Sequence, residues 1–481
     1  MNNFYLNRRD MLKALGLLST SAALVACGPT GVPLPAAPAA TKPAASEGAA
    51  AAATGNKYEG VTLRMLTQAG ADYEVPFRAW AEEFTGATGA NVEFEFAPWE
   101  QLMPKVQADL ASGSPQFDLF CNDIEFQYTI WPNLEPINDF LKNSDYDMEG
   151  FFEPIYKYGE GIAGNTGVRF GLPIVSGVSL IFYRKDLIST FPITWADYDK
   201  MLADNTNDTM KGLSFAGVTA QLVKLFLARY WSQGDALLTP DWKPLINSEK
   251  GVKALTMLKD QMTNYSPEGI LAWDNPEAAN AFVAGQVAVY EGWGGFILPN
   301  LNDPAKSKVV DQWAIAPYPE NGTGNFVQHN VVMMNTTQNK QAAFDLMAYL
   351  TQPAKQKEGA INNGITPARK SIFSDPDVVA AVPYMPDYSA VLDRGRPFAP
   401  GVPQWLEMFI AVGEGASKAL SDQATPADAL NEVAAKWEEL FAQNPLEFEY
   451  KADNAYPFFM QHYETHFLRS IIVSKICQSL L

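Results

Sequence analysis

The segment from Ala281 to Phe296 contains the side chains best suited to holding a small polar ligand. Its centre reads Glu291-Gly292-Trp293, and two further glycines follow. Glycine lets a backbone approach a ligand closely, while an indole offers a flat apolar face and one hydrogen-bond donor. A carboxylate beside an exposed aromatic ring is a common way to hold a sugar. The alternative is a tight turn with Trp293 in the core, because tryptophan is mostly buried in folded proteins.

Local patterns predict the elements that position this segment. A helix should end near Ala284 with Gly285 as its left-handed cap, and Val287–Tyr290 has the β-branched, apolar character of a buried strand. In an open α/β sheet, ligands bind at the loops that follow the carboxyl ends of strands. We therefore expect residues 291–295 to form a ligand-binding loop.

The region after residue 57 repeats an alternation of strand and helix patterns. The predicted strands are 60–67, 91–96 and 117–121, and the predicted helices are 75–85 and 101–111. This order predicts a parallel sheet whose carboxyl ends lie along one edge. The residues that follow these strands and could contact a ligand are Gln68, Trp99, Asn122 and Asp123. Asp123 could equally be the N-cap of the next helix, where aspartate is favoured.

Motifs for enzyme chemistry are absent from the sequence. It contains no nucleophile elbow, no phosphate-binding P-loop and no zinc-protease pair of histidines. His462 and His466 form only a weak zinc spacing, so we expect neither a metal nor a cofactor. Two carboxylates that face each other can hydrolyse a glycoside, and Asp123 and Glu291 are the pair to consider for that alternative.

The amino terminus has the features of an export signal. Arg8 and Arg9 precede an apolar run from Ala14 to Ala26, which is too short to be an ordinary membrane span. The paired arginines indicate twin-arginine export, and the end of the run resembles a bacterial lipobox with Cys27 as the lipidated residue. We therefore interpret residues 1–27 as a twin-arginine lipoprotein signal. The alternative is a plain signal peptide with an incidental cysteine.

Residues 28–57 have the composition of a tether. Five prolines stand among alanine, glycine and threonine, and the few apolar side chains cannot build a core. We predict a disordered Ala/Pro-rich tether that holds the following domain near a membrane surface. The net charge of −19 over 481 residues argues against nucleic acid as a partner.

Several segments occur in the order found in a known family. They are LEPINDFL at 134–141, GLPIVSGVSLIFYRKDLI at 171–188, FVAGQVAVYEGWGGF at 282–296 and GITPARKSIF at 364–373. Their order and spacing resemble those of extracellular solute-binding proteins, the family 1 proteins of sugar-importing ABC transporters, and in particular the maltodextrin-binding type. The resemblance implies an α/β fold with two lobes, a type II periplasmic-binding-protein-like arrangement with a hinge and an interlobe cleft.

The resemblance also implies how the chain is divided. One lobe would combine residues 58–170 and 312–365, and the second would combine residues 171–311 and 366–450. The chain would cross between them near 171–176, 313–319 and 365–367, where prolines suit a fixed hinge geometry. Residues 451–481 fall outside the resemblance and their role is not explained.

Further ligand contacts follow from the resemblance alone. Besides the residues already named, it places near the cleft Ser176, Trp231, His329, Arg369 and Phe409, with Trp405 as the nearby rival of Phe409 for stacking on the sugar. Trp231 could instead be buried by its helix, and a surface role for Arg369 is the alternative. Trp293 directly follows a glycine here, whereas the family usually has Gly-Pro before the tryptophan, so the identity of the sugar does not transfer.

The partners that the resemblance implies are a small-molecule sugar and the permease subunits of an ABC transporter. Contact with the membrane would be made by the N-terminal lipid only, and the protein would be a monomer located outside the cytoplasm. Two other classes stay open. One is a secreted acidic glycosidase, and the other is a binder of a different solute such as a polyamine, in which acidic pocket residues would outnumber aromatic ones.

Overall fold

The computed structural model describes residues 57–152, 167–234, 236–320, 324–398 and 401–446. The predicted signal with Cys27, the tether up to residue 56 and the carboxyl-terminal tail with His462 and His466 lie outside these residues. Within the described ranges, no helix combines the length and the apolarity that crossing a bilayer requires.

The first part of the chain forms the predicted parallel sheet. Its strands are β1 (Thr62–Gln68), β2 (Asn91–Ala97) and β3 (Leu119–Asp123), and its crossover helices are α1 (Ala71–Thr88) and α2 (Trp99–Ala111). β1 lies between β2 and β3 and pairs with both in parallel. Alternation along β1 explains the two-sided burial, because Leu63 and Met65 join one apolar core while Leu66 joins another. The prediction for this region is confirmed.

One long strand connects this sheet to the rest of the protein. The 14-residue strand β4 (Gly171–Arg184) pairs first with β8 (Asn325–Met333) and then with β6 (Val287–Trp293) and β7 (Trp313–Ala316), always antiparallel. β8 also pairs with β3, and β5 (Lys211–Phe215) runs parallel to β6. Including the short strand β9 (Arg396–Pro397), nine strands of the described chain therefore form one continuous sheet.

Helices cover both faces of this sheet. In chain order they are α3 (Ile124–Ile130), α4 (Asn138–Lys142), α5 (Trp195–Asp204), α6 (Thr219–Ser232), α7 (Glu249–Tyr265), α8 (Asn275–Val283), α9 (Gly294–Leu301), α10 (Lys340–Thr351), α11 (Pro353–Asn363), α12 (Pro376–Ala381), α13 (Met385–Leu392), α14 (Trp405–Leu420) and α15 (Pro426–Gln443). Side-chain caps define several starts. Thr194 and Ser248 accept backbone N–H bonds at α5 and α7, and Asp274 with Glu277 forms a capping box at α8.

The segment around Trp293 differs from the predicted loop. Gly285 has the expected left-handed conformation with φ of 70°, but the following strand continues through Trp293 and a helix begins at Gly294. Trp293 pairs with Ser179 of β4, which extends the strand. Gly292 is needed for packing, because a Cβ there would collide with the phenol of Tyr290. The expectation that Gly292 makes room for a ligand is therefore replaced by a packing requirement.

The first and third predicted crossings lie against each other. Ser176 donates its hydroxyl proton to the carbonyl of Pro367 over 2.6 Å, and Val175 forms an antiparallel bridge with the same residue. The amide of Gln356 on α11 donates to the carbonyl of Pro173 and accepts from the backbone of Ala368. Ser176 is fully buried, so it joins two chain segments at this point.

Candidate functional site

A carboxylate at the carboxyl end of β3 organises the first group of candidate residues. Oδ2 of Asp123 accepts the indole N–H of Trp99 over 2.6 Å, and Oδ1 lies 2.7 Å from Nε2 of His329. Asp123 occupies the N-cap position of α3, but its side chain makes no capping hydrogen bond. The carboxylate thus joins an indole and an imidazole, and the capping role considered for it is not what the structure shows.

Aromatic rings extend this group away from the sheet. The Trp99 ring centroid lies 5.3 Å from that of Phe126 and 6.1 Å from that of Phe409. Trp405 packs against Phe126 and Phe409 at 5.4 and 6.0 Å, and it is 2% exposed, whereas Trp99 and Phe409 are only partly buried. Trp405 therefore supports the cluster from behind, while Trp99 and Phe409 keep surface that a ligand can cover.

Trp293 provides a second aromatic surface. The ring is partly buried, its Nε1 donates to Oε1 of Gln221 over 3.0 Å, and Nζ of Lys224 lies 5.3 Å from the ring centroid. Both partners lie on α6, which holds the indole from one side. The ring is neither sealed in the core nor placed on a loop, so it differs from both alternatives that the sequence suggests.

Strand register relates the two aromatic groups. Val175 of β4 pairs with His329, and Ser179, four residues further along β4, pairs with Trp293. Residues 175 and 179 lie on the same face of the strand, since side chains alternate with a period of two. Four residues along the strand and two strand spacings across the sheet separate His329 and Trp293 by about 16 Å. Asp123, which pairs with His329, lies on that same face.

Glu291 does not have the role that we expected. It is fully buried, and its two carboxylate oxygens accept from the guanidinium of Arg229 over 2.9 and 3.0 Å. The hydroxyl of Tyr198 donates to the same carboxylate over 2.7 Å. Burial, together with the charge of Glu291, raises the pKa of Tyr198 well above its usual value, so this phenol stays protonated. Glu291 is therefore a structural ion-pair partner and not an open sugar ligand.

The burial and pairing of Glu291 also exclude the pair of carboxylates that was considered for a glycosidase. A retaining or inverting glycosidase needs two carboxyl groups that reach one glycosidic bond. Glu291 is engaged by Arg229 and Tyr198 in the core, so it cannot face Asp123 across a substrate. Sequence reasoning missed Arg229, although an arginine inside the apolar helix 219–232 was a signal that a buried carboxylate must lie opposite.

Two further candidates are also buried. Arg369 is 1% exposed, its Nε donates to the carbonyl of Thr351, and its guanidinium stacks over Phe151 at 4.2 Å. This burial contradicts the surface role considered for Arg369, and its role as a ligand contact stays a prediction. Trp231 is 2% exposed and lies under the guanidinium of Arg396 at 5.3 Å, which agrees with the alternative that its helix buries it.

The remaining candidates lie at strand positions. Gln68 is the last residue of β1, where it is partly buried opposite Ala97. Asn122 lies in β3 opposite Asn330 of β8, one residue before Asp123. Both backbones therefore reach the carboxyl edge of the parallel strands, as predicted. Ser176, in contrast, joins two crossings and has its hydroxyl taken by Pro367.

Gln127, which sequence reasoning did not single out, lies on the helix that begins after Asp123. It follows Asp123 by one helical turn on α3, is 2% exposed, and neither amide atom has a hydrogen-bond partner in the described structure. The indole N–H of Trp405 is also buried without such a partner. Buried polar atoms are nearly always hydrogen-bonded, so these groups are candidates for pairing with a bound molecule or water. No sequence pattern marks Gln127.

Reactive groups are scarce in this part of the chain. Burial raises the pKa of the Cys121 thiol to about 12, so the thiol stays protonated and inert. Among the described residues, no cluster of histidine, cysteine and acidic side chains could hold a metal ion. The arrangement offers aromatic faces and hydrogen-bonding groups, which suit reversible binding.

Fold and site together define a two-lobed α/β binding protein. The family model for bacterial extracellular solute-binding proteins matches residues 70–357. The chain belongs to this family, which consists of binding proteins of ABC transporters and not of enzymes. Family membership also places the protein outside the cytoplasm.

Curated relatives cover most of the chain. A probable amino-acid ABC transporter periplasmic-binding protein of Sinorhizobium fredii is 26% identical over 399 residues, which are 81% of this chain and 91% of that protein. An erythritol/L-threitol-binding protein of Mycolicibacterium smegmatis is 25% identical over 405 residues, which are 76% of this chain and 82% of that protein.

Solved structures confirm the predicted fold. A solute-binding protein of Agrobacterium radiobacter K84 in complex with ribitol has a TM-score of 0.72 at 24% identity, and the match covers 80% of this chain and 99% of that one. A maltose-bound protein of T. maritima also has a TM-score of 0.72, at 22% identity. The match covers 79% of this chain and 100% of that one. The two-lobed periplasmic-binding-protein-like fold expected from the sequence is thus confirmed.

Proposed function

We propose that this protein captures a neutral sugar or polyol between its two lobes and delivers it to the permease of an ABC importer. The observation that carries the proposal is the pairing of partly buried aromatic faces with hydrogen-bonding groups. Trp99, Phe409 and Trp293 offer the faces, and Asp123 and His329 lie on the same side of the sheet. Covering the C–H surface of a sugar with such rings is favourable, and polar groups beside them fix its orientation.

The ligands of similar proteins support a neutral ligand. Erythritol or threitol is named for the M. smegmatis relative, and ribitol and maltose are bound in the two similar structures. The charges of this chain agree, because Glu291 is neutralised by Arg229 and Asp123 contacts His329. A polyamine would need open carboxylates, and neither of these two is open.

The position of the protein in the cell follows from its amino terminus. Export by the twin-arginine route and lipidation of Cys27 would leave residues 28–57 as a tether. The folded part would then act as a monomer that contacts the membrane through the lipid only. We further propose that residues 58–170 with 312–365 form one lobe and residues 171–311 with 366–450 the other, closing about crossings near 171–176, 313–319 and 365–367.

Titration calorimetry with a fixed panel tests the proposal. The panel contains erythritol, ribitol, D-mannitol, maltose, spermidine and a set of amino acids, and product analysis accompanies each titration. We expect stoichiometric binding of a polyol or sugar and no change in the recovered ligand. Binding of amino acids alone, which the S. fredii relative makes the second candidate, would contradict a sugar ligand. Hydrolysis of maltose would contradict the binding function itself.

A further inference from the structure

A buried lysine lies directly behind the Trp293 ring. Lys224 is 2% exposed on α6, and its Nζ donates to Oε1 of Gln221 and to Oδ1 of Asn275. The same nitrogen lies 5.3 Å from the Trp293 ring centroid, and Gln221 Oε1 also accepts the Trp293 indole N–H. Lys224 and the Trp293 indole thus donate to the same oxygen of Gln221, and the ammonium also makes a cation–π contact with the ring. These contacts hold the ring in its orientation.

The charged groups around Lys224 leave its ammonium only partly compensated. The two carboxylates that act on it are Asp274 at the start of α8 and Glu291 on β6. Glu291 is already paired with Arg229 from the same helix as Lys224. Burial outweighs the attraction of the two carboxylates and lowers the pKa of Lys224 to about 7. The side chain can therefore exchange a proton near neutral pH.

We propose that Lys224 is a positioning residue that holds Trp293 through Gln221 and releases a proton when a neutral ligand covers that ring. This inference rests on the proposed function, because it requires Trp293 to be a ligand contact. A ligand on the ring removes water from the neighbourhood of the ammonium, and loss of water disfavours the charged form. Binding then favours the amine, and linkage requires the affinity to rise with pH.

The sign and size of the effect follow from this linkage. Ligand binding lowers the proton affinity of Lys224, so affinity increases as the pH rises from 6 to 8. If binding lowers the pKa of Lys224 by one unit, the affinity can rise by at most about tenfold. We expect the affinity to increase about three- to tenfold between pH 6 and pH 8. An anionic ligand would do the opposite, because its charge would favour the ammonium.

Calorimetry in two buffers of different ionisation enthalpy measures the released proton directly. Ribitol, D-mannitol and maltose are the neutral probes, titrated at pH 6, 7 and 8 into the wild-type protein and into K224R and K224M. We expect wild type to release a fraction of a proton at pH 7. K224R keeps the charge and cannot titrate near neutrality, so it should lose the part of the pH dependence that Lys224 supplies. K224M should bind more weakly and release no proton, because Gln221 loses its donor.

Lys355 provides the matched control. It is a buried lysine that pairs with Glu83 and Glu358 and lies over Trp80 at 6.0 Å. K355M therefore removes a buried ammonium elsewhere, and it should leave the proton release and the pH dependence of binding unchanged. Equal loss of proton release in K355M and K224M would overturn the assignment to Lys224.

A ligand-free measurement separates the inference from the proposed function. The pKa of Lys224 is lower in the folded protein than in the unfolded chain, so the unfolded state binds more protons between about pH 7 and 10. Wild-type stability should therefore rise with pH in this window relative to K224M. If the stability difference between wild type and K224M does not change with pH, or if a probe binds without proton release, the role of Lys224 is overturned and the proposed function is not. Failure of every neutral probe to bind overturns the proposed function and the inference with it.

Discussion

The carboxylate of Asp123 lies 2.7 Å from the imidazole Nε2 of His329, across the antiparallel pair of β3 and β8. The two residues are about 200 positions apart in the chain, so the sheet alone brings them together. The same carboxylate holds the indole of Trp99. One acidic side chain thus sets the orientation of two groups that we propose as ligand contacts.

Asp123→Asn should weaken ligand binding by about 1–3 kcal/mol, because one amide oxygen cannot replace two charge-assisted contacts. The dissociation constant from calorimetry measures the effect. Asp139→Asn is the control, since that carboxylate is 87% exposed and pairs only at the surface with Lys142. Equal affinities of the two variants would contradict a role for Asp123 in the site.

Trp293→Ala should weaken binding by about 2–4 kcal/mol, the range found when a large aromatic contact is truncated. Calorimetry and the melting temperature of the ligand-free variant are measured together. Phe441→Ala on α15, where Phe441 packs against Trp242, is the matched aromatic truncation away from the proposed contacts. A strong drop in melting temperature with normal affinity would show that Trp293 serves the core.

Glu291→Gln should act on stability and not on binding chemistry. The change leaves Arg229 buried without its counter-charge, which costs about 3–5 kcal/mol of unfolding free energy. Denaturant titration measures the loss. Glu93→Gln removes the same charge from an exposed pair with Arg64 and should cost at most about 1 kcal/mol. If Glu291→Gln lost as little unfolding free energy as Glu93→Gln, the buried pair would not stabilise the fold as we infer.

Cys27→Ala should release the protein from the membrane fraction into the medium, because the residue proposed to carry the lipid is gone. Fractionation and intact mass give the result. Cys477→Ala serves as the control and should stay with the membrane. Retention of the Cys27 variant with its full precursor mass would indicate another anchor.

Small-angle scattering should show a smaller radius of gyration when a saturating ligand is added, since closure of two lobes makes the molecule more compact. The calorimetric panel supplies the ligand, and a non-binding member of the same panel supplies the control. An unchanged scattering curve at demonstrated saturation would leave a rigid binder in place of a closing one.

Local patterns predicted much of the fold but only part of the site. β1, β2 and β3, with the two helices between them, follow from alternation and helical spacing, which are properties of neighbouring residues. The segment at Glu291 was predicted as a loop because it follows the end of a predicted strand and contains three glycines. It is a strand because Ser179 and Ile181, more than a hundred residues earlier, pair with it. Such pairing is set by tertiary structure and leaves no local signal.

Burial explains the other differences. Arg369 and Glu291 are charged, and charged residues are seldom fully buried unless they are paired. The partners of both residues lie on distant segments. Arg369 contacts Thr351 and Asp147, and Glu291 is paired with Arg229. Nothing within a few residues of either position reveals that partner. The Asp123 position was predictable because it depends only on the end of a parallel strand.

The path of the chain through the sheet has a consequence for the order of folding. β3 can pair with its second neighbour, β8, only after the chain has been synthesised as far as Met333, the last residue of β8. The amino-terminal strands must therefore wait for more than two hundred further residues before their sheet is complete. Contacts at such large sequence separation slow folding and leave strand edges unpaired in the meantime. We expect nascent chains that stop before residue 325 to be incompletely folded and prone to aggregate.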